Sequence, residues 1–501
     1  MTIQKIIKSL EKNMYEMNTE SRLARVGLKK EQKIAPIFKK CQWLYDLPTI
    51  NFVKKEYQKQ TNSNKKEQLK LLFYDLADFF LYRKVIVMDD KLSTFLNKTQ
   101  VKVDGEKIAF HNLGPLIGKS SDFNKRERLF KAFLGVVQKA NSEELLMLEL
   151  TVKSIKDDLG FEDYLDFYQK KKKMDYSQFQ KVVLEINSQL QDLYREKMDK
   201  FVKENLGQPW QNLKSCHLSY LRFLNRFDQY FPKEKLIPVF AASMKDLGFD
   251  IKKQKNIKID TAERPGKNPR AVCYSAKVPQ EVHLIIKPVG GFYDFEAFFH
   301  EGGHVEHYAH VDPNLSFAYR YLSSSHALSE LFSFLFESLT RNPLWLEKYL
   351  GLPKEIARKL AYESEIVNLF MLIRYLGKFS YEYRLFSFGD LSSGPQLYAK
   401  TLTEFTNFVY NPAEYLEDMD GTFYSADYLR AWIGEAQLVE FFEKKFGQNW
   451  FEKKEVGDWL GKIWAKGSQF DLEEMLEKNK VGKPFDINPL VSRFKKSLTK
   501  K

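Results

Sequence analysis

Cysteine and histidine are the scarcest chemically useful residues in this 501-residue chain, with three Cys and eight His. Cys41, Cys216 and Cys273 lie far apart and form no C-x-x-C pair. That excludes a disulfide framework and a thiolate zinc knuckle, and free thiols suit a reducing compartment. No stretch of about 18 apolar residues occurs, so no membrane-spanning helix is expected. Met1 to Lys8 carry no apolar signal segment. We therefore expect a cytoplasmic protein. Internal repeats and low-complexity tracts are also lacking.

What is abundant is aromatic and basic. Phe (41) and Tyr (26) dominate an aromatic content of 15%, within a hydrophobic fraction of 44% and a charged fraction of 29%. These are the proportions of a globular protein with an aromatic-rich core. The formal charge of +13 raises the question of a nucleic-acid or membrane partner. The lysines, however, are spread from end to end, and no zinc-finger or RNP pattern accompanies them. Neither partner is expected. The densest run, Lys170 to Lys173, falls between two helical stretches and reads as a solvated turn.

Helical periodicity fills the first 207 residues. Leu69, Leu71, Leu72, Leu76 and Phe79-Phe80 mark a helix over 67–84. Ser142 with Glu143 and Glu144 reads as the start of another that stops at Gly160. Phe179, Val182, Val183, Ile186, Leu190, Leu193, Tyr194 and Phe201 predict a helix over 176–206, with Gly207 as its C-cap. Val101 to Ile108 alternates around Asp104-Gly105 and predicts a hairpin. From 208 the character changes, and residues 256–260, 271–274 and 282–286 predict short strands. We expect a mostly α protein in two parts, 1–207 and 208–501. The second would carry a small β-sheet over about 256–290, zinc helices over about 292–345, and further helices to the end.

The chemistry concentrates in Phe298-Phe299-His300-Glu301-Gly302-Gly303-His304, which contains His-Glu-x-x-His. Chance would place this pattern in about one in a hundred chains of this composition. On a helix, residues four apart share a face with Cβ atoms about 5–6 Å apart. Two imidazoles so placed can converge on one zinc ion at about 2.0–2.1 Å. Glu301 then projects beside the ion as a general base for an attacking water. A catalytic zinc usually takes three protein ligands. His307 lies on the same face, but seven residues rise about 10.5 Å, too far to share the ion, and His310 is further still. The better third ligand is Glu330, 26 positions after His304 on a second, apolar helix. Carboxylates on so apolar a helix are costly to bury unless paired or metal-bound. Glu337, seven residues on, would accept from a ligand imidazole and fix its tautomer.

This pattern resembles the M3 oligopeptidases, the relatives of thimet oligopeptidase and oligoendopeptidase F. His-Glu-x-x-His, a Glu about 25 residues on and another seven later carry the resemblance. The upstream segment Glu263-Arg264-Pro265-Gly266-Lys267-Asn268-Pro269-Arg270, with Val278-Pro279 and Gly290-Gly291, is also similar. In length the chain is closer to the related M32 carboxypeptidases. The resemblance implies a neurolysin-like architecture of two helical halves around a deep cleft that admits short peptides. It also implies a tyrosine that stabilises the oxyanion. In Gly421-Thr422-Phe423-Tyr424-Ser425-Ala426-Asp427-Tyr428, Tyr428 aligns best with a family tyrosine and Tyr424 is the second choice. No His accompanies them, unlike the family pattern.

The expectation is a zinc metallopeptidase, a metalloendopeptidase of oligoendopeptidase type, using one Zn²⁺ and slightly favoured as a monomer. The strand over 271–274 would pair with an extended peptide. A carboxypeptidase or dipeptidyl carboxypeptidase is the alternative. It would need a cation for the substrate's free carboxylate, with Arg264, Arg270 and Arg430 as candidates. A zinc-stabilised binding protein without catalysis is a further alternative, against which the retention of Glu301 argues.

Overall fold

Apolar stripes at helical spacing run through most of the chain, and the computed structural model, which describes residues 1–499, is accordingly mostly helical with two small sheets. Among the described residues no helix is long and apolar enough to cross a membrane. The elements that matter for the site are helices α1 (Ile3–Arg25), α2 (Ser63–Lys98), α3 (Phe123–Asp157), α4 (Tyr176–Leu206), α5 (Phe292–Ala309), α6 (Ala327–Glu337), α7 (Lys354–Phe388) and α8 (Tyr424–Phe446). The strands are β1 (Gln100–Val103), β2 (Glu106–Ala109), β3 (Ile257–Asp260), β4 (Val272–Lys277) and β5 (Glu281–Ile285).

Helix α4 shows how local rules make these elements. Asp175 caps its first turn by accepting from the Ser177 and Gln178 amides, and Gly207 ends it at φ +61°. Between them Phe179, Val183, Ile186, Leu190, Tyr194 and Phe201 are buried, and the helix packs on α7. Each such side chain contributes about 1.5–3 kcal/mol when removed from water. One continuous core runs through both parts of the chain, from Ile6 and Leu10 to Leu490 and Phe494. A second, small core lies around the β1–β2 hairpin, with Ile108, Leu113 and Leu129. That hairpin turns at Asp104-Gly105, both at positive φ, the geometry that an Asp-Gly pair favours.

Two expectations are corrected. Ser142 does not start a helix, because α3 begins at Phe123, where Asp122 accepts from the Lys125 amide. Ser142 is exposed on the middle of that helix, and an exposed serine does not interrupt a continuing hydrogen-bond ladder. The run Lys170 to Lys173 is not a solvated turn. It forms the last turn of the helix Tyr164–Lys172 and its left-handed cap at Lys173. Lys171 pairs with Asp78, Lys173 with Glu67 and Asp471, and the buried Lys172 with Asp427 at 2.8 Å. Acids from distant elements converge on these lysines, which local composition does not reveal.

The second sheet has the order β3–β5–β4. β3 runs parallel to β5, and β4 antiparallel to it, with Cys273 opposite Leu284. Val282, Leu284 and Ile285 are fully buried, and β4 and β5 lie against α5. β4 is therefore an edge strand beside the helix that carries His-Glu-x-x-His.

Candidate metal centre

Helix α5 is seated by aromatics and by its own first turn. Asp294 accepts from the Val289 and Gly290 amides at 2.6 and 2.8 Å, and Asp228 from the Phe292 amide at 3.0 Å. Phe295, Phe298 and Phe299 are fully buried. The two mid-helix glycines then allow close packing. A Cβ at Gly303 would stand 2.4 Å from the Phe332 carbonyl oxygen and 2.6 Å from Ser333 Cα, both on α6; one at Gly302 would stand 2.5 Å from the Phe240 ring. Glycine costs a helix about 1 kcal/mol, and at Gly303 it lets the backbones of α5 and α6 come into contact.

That contact brings three donors together. His300 Nε2 lies 3.3 Å from Glu330 Oε2, and His304 Nε2 lies 3.5 Å from Glu330 Oε1. All three donor groups fall within 4.8 Å of one another. Ligands spaced tetrahedrally around an ion at about 2.0–2.1 Å would stand about 3.3–3.4 Å apart, so the residues fit a small divalent cation. Glu330 is buried, and among the described residues no Lys or Arg lies within 4.0 Å of its carboxylate. Its partners are instead the two imidazoles and the Tyr424 and Ser333 hydroxyls, and a buried carboxylate so placed is further stabilised when a cation joins it. Burial by itself would push the His300 imidazole down, but hydrogen bonds to Glu330 and Glu337 outweigh it and hold the group well above its ordinary value. Burial would likewise raise Glu330, yet the charges and hydrogen bonds of His304 and His300 hold it well below. The point where the three meet favours positive charge.

The surrounding groups orient these donors. Glu337 Oε2 is 2.7 Å from His300 Nδ1, leaving Nε2 to face Glu330. Glu337 in turn accepts from Arg341 at 2.6 Å, which also bonds Glu296 at 3.2 Å. Against its burial, Arg341 and His300 hold the Glu337 carboxyl down at about 2. His304 Nδ1 is buried without a partner. Glu301 stands outside the donor set, and its Oε2 accepts a 2.7 Å hydrogen bond from the Cys273 amide of β4.

The tyrosines divide. Tyr424 donates its hydroxyl to Glu330 Oε1 at 2.5 Å, and burial, then the Glu330 charge, push the phenol far up. Tyr428 makes no such bond. It lines the cavity next to His300 and Glu301 and packs on Tyr375 with ring centroids 5.0 Å apart. The two phenol rings are 4.9 Å apart. The start of α8 that carries them is pinned by Lys172, which bonds both the Phe423 carbonyl (3.1 Å) and Asp427 (2.8 Å).

Within the segment no histidine accompanies these tyrosines, but one from elsewhere in the chain does. His326, just before α6, stacks on Tyr424 at 5.0 Å, and its amide donates to Asp427 at 3.1 Å. Only the fold brings it there. His307 is excluded from the donor set. It is buried against Phe332 and Tyr308, with both ring nitrogens unpartnered, and burial pushes it down to about 3. His310 donates from Nδ1 to the Glu306 carbonyl at 2.8 Å, closing the helix end.

A cavity of about 200 Å³ opens beside His300 and Glu301, with Arg270, Tyr428 and Trp432 in its wall. Of the three arginines singled out from sequence, only Arg270 reaches it. Arg264 is held by Asp260 and the Val26 carbonyl. Arg430 is buried in a bidentate pair with Glu473 at 2.8 and 2.6 Å. Both guanidiniums are consumed by the fold. A scan against protein-family models finds no match to the chain, and a search of the curated proteins finds no similar one.

Proposed function

We propose that this protein is a zinc-dependent metallopeptidase that hydrolyses peptide bonds in short peptides, with the two-part helical architecture of the M3 oligopeptidases and a cytoplasmic setting. The observation that carries the reading is the meeting of His300, His304 and Glu330 at one point with Glu301 beside them and outside the set. A purely structural zinc site closes four protein ligands around the ion and has no use for a carboxylate held alongside.

His300, His304 and Glu330 would hold the zinc. When bound, zinc supplies Lewis-acid polarisation of a carbonyl and makes water a better nucleophile at neutral pH. Glu301, kept beside the site by the Cys273 amide, takes the proton of the attacking water and passes it to the departing amine. The Tyr428 hydroxyl, facing the cavity, donates to the oxyanion of the scissile carbonyl, with Tyr424 as the second candidate. Glu337 fixes the His300 ring through Nδ1. The edge strand β4 offers backbone partners to an extended peptide.

The test is digestion of a peptide library by the zinc-loaded protein and by Glu301→Gln, read by mass spectrometry alongside zinc content. Loss of products in the variant by about 10²–10⁴-fold at equal zinc is expected for a general base. Equal product formation would remove Glu301 from that role. Zinc retention with no products from the wild type would leave a binding protein.

A further inference from the structure

Four arginines reach the cavity beside His300 and Glu301: Arg222, Arg270, Arg341 and Arg374. Two are neutralised within the fold. Arg341 bonds Glu337 and Glu296, and Arg374 bonds Asp418. Arg222 differs. It comes from the helix Cys216–Phe223, and its guanidinium lies over the Tyr293 ring at 5.4 Å. Among the described residues no carboxylate pairs with it within 4.0 Å and it makes no hydrogen bond to a protein acceptor; the acid in the cavity wall that acts on it, Glu296, is bonded by Arg341. Arg270, exposed at the end of the segment leading into β4, is likewise without a carboxylate partner. Nearby Met371, Val367 and Trp432 make part of the wall apolar.

A guanidinium on an aromatic face in a partly apolar cavity, with its donors unspent, is a receptor for a planar anion. Arginine offers parallel N–H donors that match a carboxylate bidentately. The anion that every unmodified short peptide carries is its C-terminal carboxylate. Resting on the peptidase reading above, we propose that Arg222 anchors the substrate's free C-terminal carboxylate in this cavity. The scissile bond is then set near the C-terminus, and the activity is that of a carboxypeptidase or dipeptidyl carboxypeptidase rather than of an internal cutter. Arg270, at the rim, draws the same group inward.

The experiment measures binding and cleavage separately. Fluorescence anisotropy is read for one N-terminally labelled pentapeptide in three forms on the zinc-loaded Glu301→Gln protein, which does not turn the peptides over. The forms are the free acid, the C-terminal amide, and the amide with Glu as last residue. The free acid should bind about tenfold or more tightly than the amide, the effect of one charge-assisted pair. Arg222→Gln should erase that difference while leaving the amide's affinity unchanged, and Arg222→Lys should keep part of it. Equal affinities of acid and amide would overturn the proposal. So would a difference that survives Arg222→Gln but disappears in Arg270→Gln. If the Glu-bearing amide binds as tightly as the free acid, the site reads an acidic side chain and the C-terminal assignment falls. Cleavage is then followed by mass spectrometry with Glu301 intact. No hydrolysis alongside intact acid–amide discrimination would sink the peptidase reading and leave the carboxylate site standing. Internal cuts made equally in acid and amide would do the reverse.

Discussion

Gly303 of α5 lies so close to Ser333 of α6 that a Cβ on the glycine would stand 2.6 Å from the serine Cα. The distance between the two helices is therefore set by the absence of one side chain. His300 and His304 flank this glycine on α5, and Glu330 lies one turn before Ser333 on α6. The spacing of the three candidate metal donors thus rests on a backbone contact between the helices.

Gly303→Ala should push the helices apart. The new methyl would also meet the Phe332 carbonyl oxygen at 2.4 Å, and overpacking of this kind costs about 1–3 kcal/mol. Thermal denaturation should show a lower midpoint, and zinc titration a weaker affinity. Gly461→Ala is the control. Nothing lies within 4 Å of a Cβ there, so it should leave stability unchanged or slightly raised. Equal effects of the two substitutions would refute the contact argument.

Loss of Glu330 should be felt more strongly than loss of Glu337. Glu330→Ala removes a donor, and elemental analysis should find zinc largely gone. Glu337→Gln leaves all three donors but weakens the hold on His300, and partners of this kind are worth about 10–100-fold in metal affinity. Full zinc occupancy in Glu330→Ala after competition with a chelator would exclude Glu330 as a ligand.

The two tyrosines should separate kinetically. Tyr428→Phe should lower kcat with little change in KM, by up to about 10²-fold for a lost oxyanion donor. Tyr424→Phe removes the 2.5 Å bond to Glu330 and should alter zinc affinity as well as rate. Should Tyr428→Phe match the wild type while Tyr424→Phe loses turnover at full zinc occupancy, the donor is Tyr424.

Stability should also depend on pH through Glu382. This buried carboxyl accepts from the Asp420 amide and the Ser425 hydroxyl. Burial, and then the Asp420 charge, hold it above its ordinary value. An unfolded glutamate ionises near about pH 4.3, whereas the folded one stays protonated. The folded state therefore loses stability as pH rises above that point, until the folded group also ionises. Glu382→Gln should flatten this fall between pH 5 and the neutral range, read as the thermal midpoint at each pH. Parallel curves for variant and wild type would assign the dependence elsewhere.

Much of the scaffold can be read along the chain. The helix over 176–206, the Asp104-Gly105 hairpin and the three strands before α5 appear where periodicity and turn residues place them. Reading fails where the decisive partner is distant. Ser142 looks like a helix start only while α3 is unseen, and Lys171 to Lys173 look solvated only until Asp78, Asp427, Glu67 and Asp471 are folded onto them, while Lys170 stays exposed.

The same division holds at the site. His300, Glu301 and His304 are related by helical geometry alone, because 3.6 residues per turn places positions four apart on one face, and no fold is needed to see it. The closeness of Glu330, the stacking of His326 on Tyr424, the burial of Arg430 and the unpaired state of Arg222 depend on elements far apart in sequence. Such relations arise from packing and from the pairing of buried charges, which are settled only when the helices close on one another.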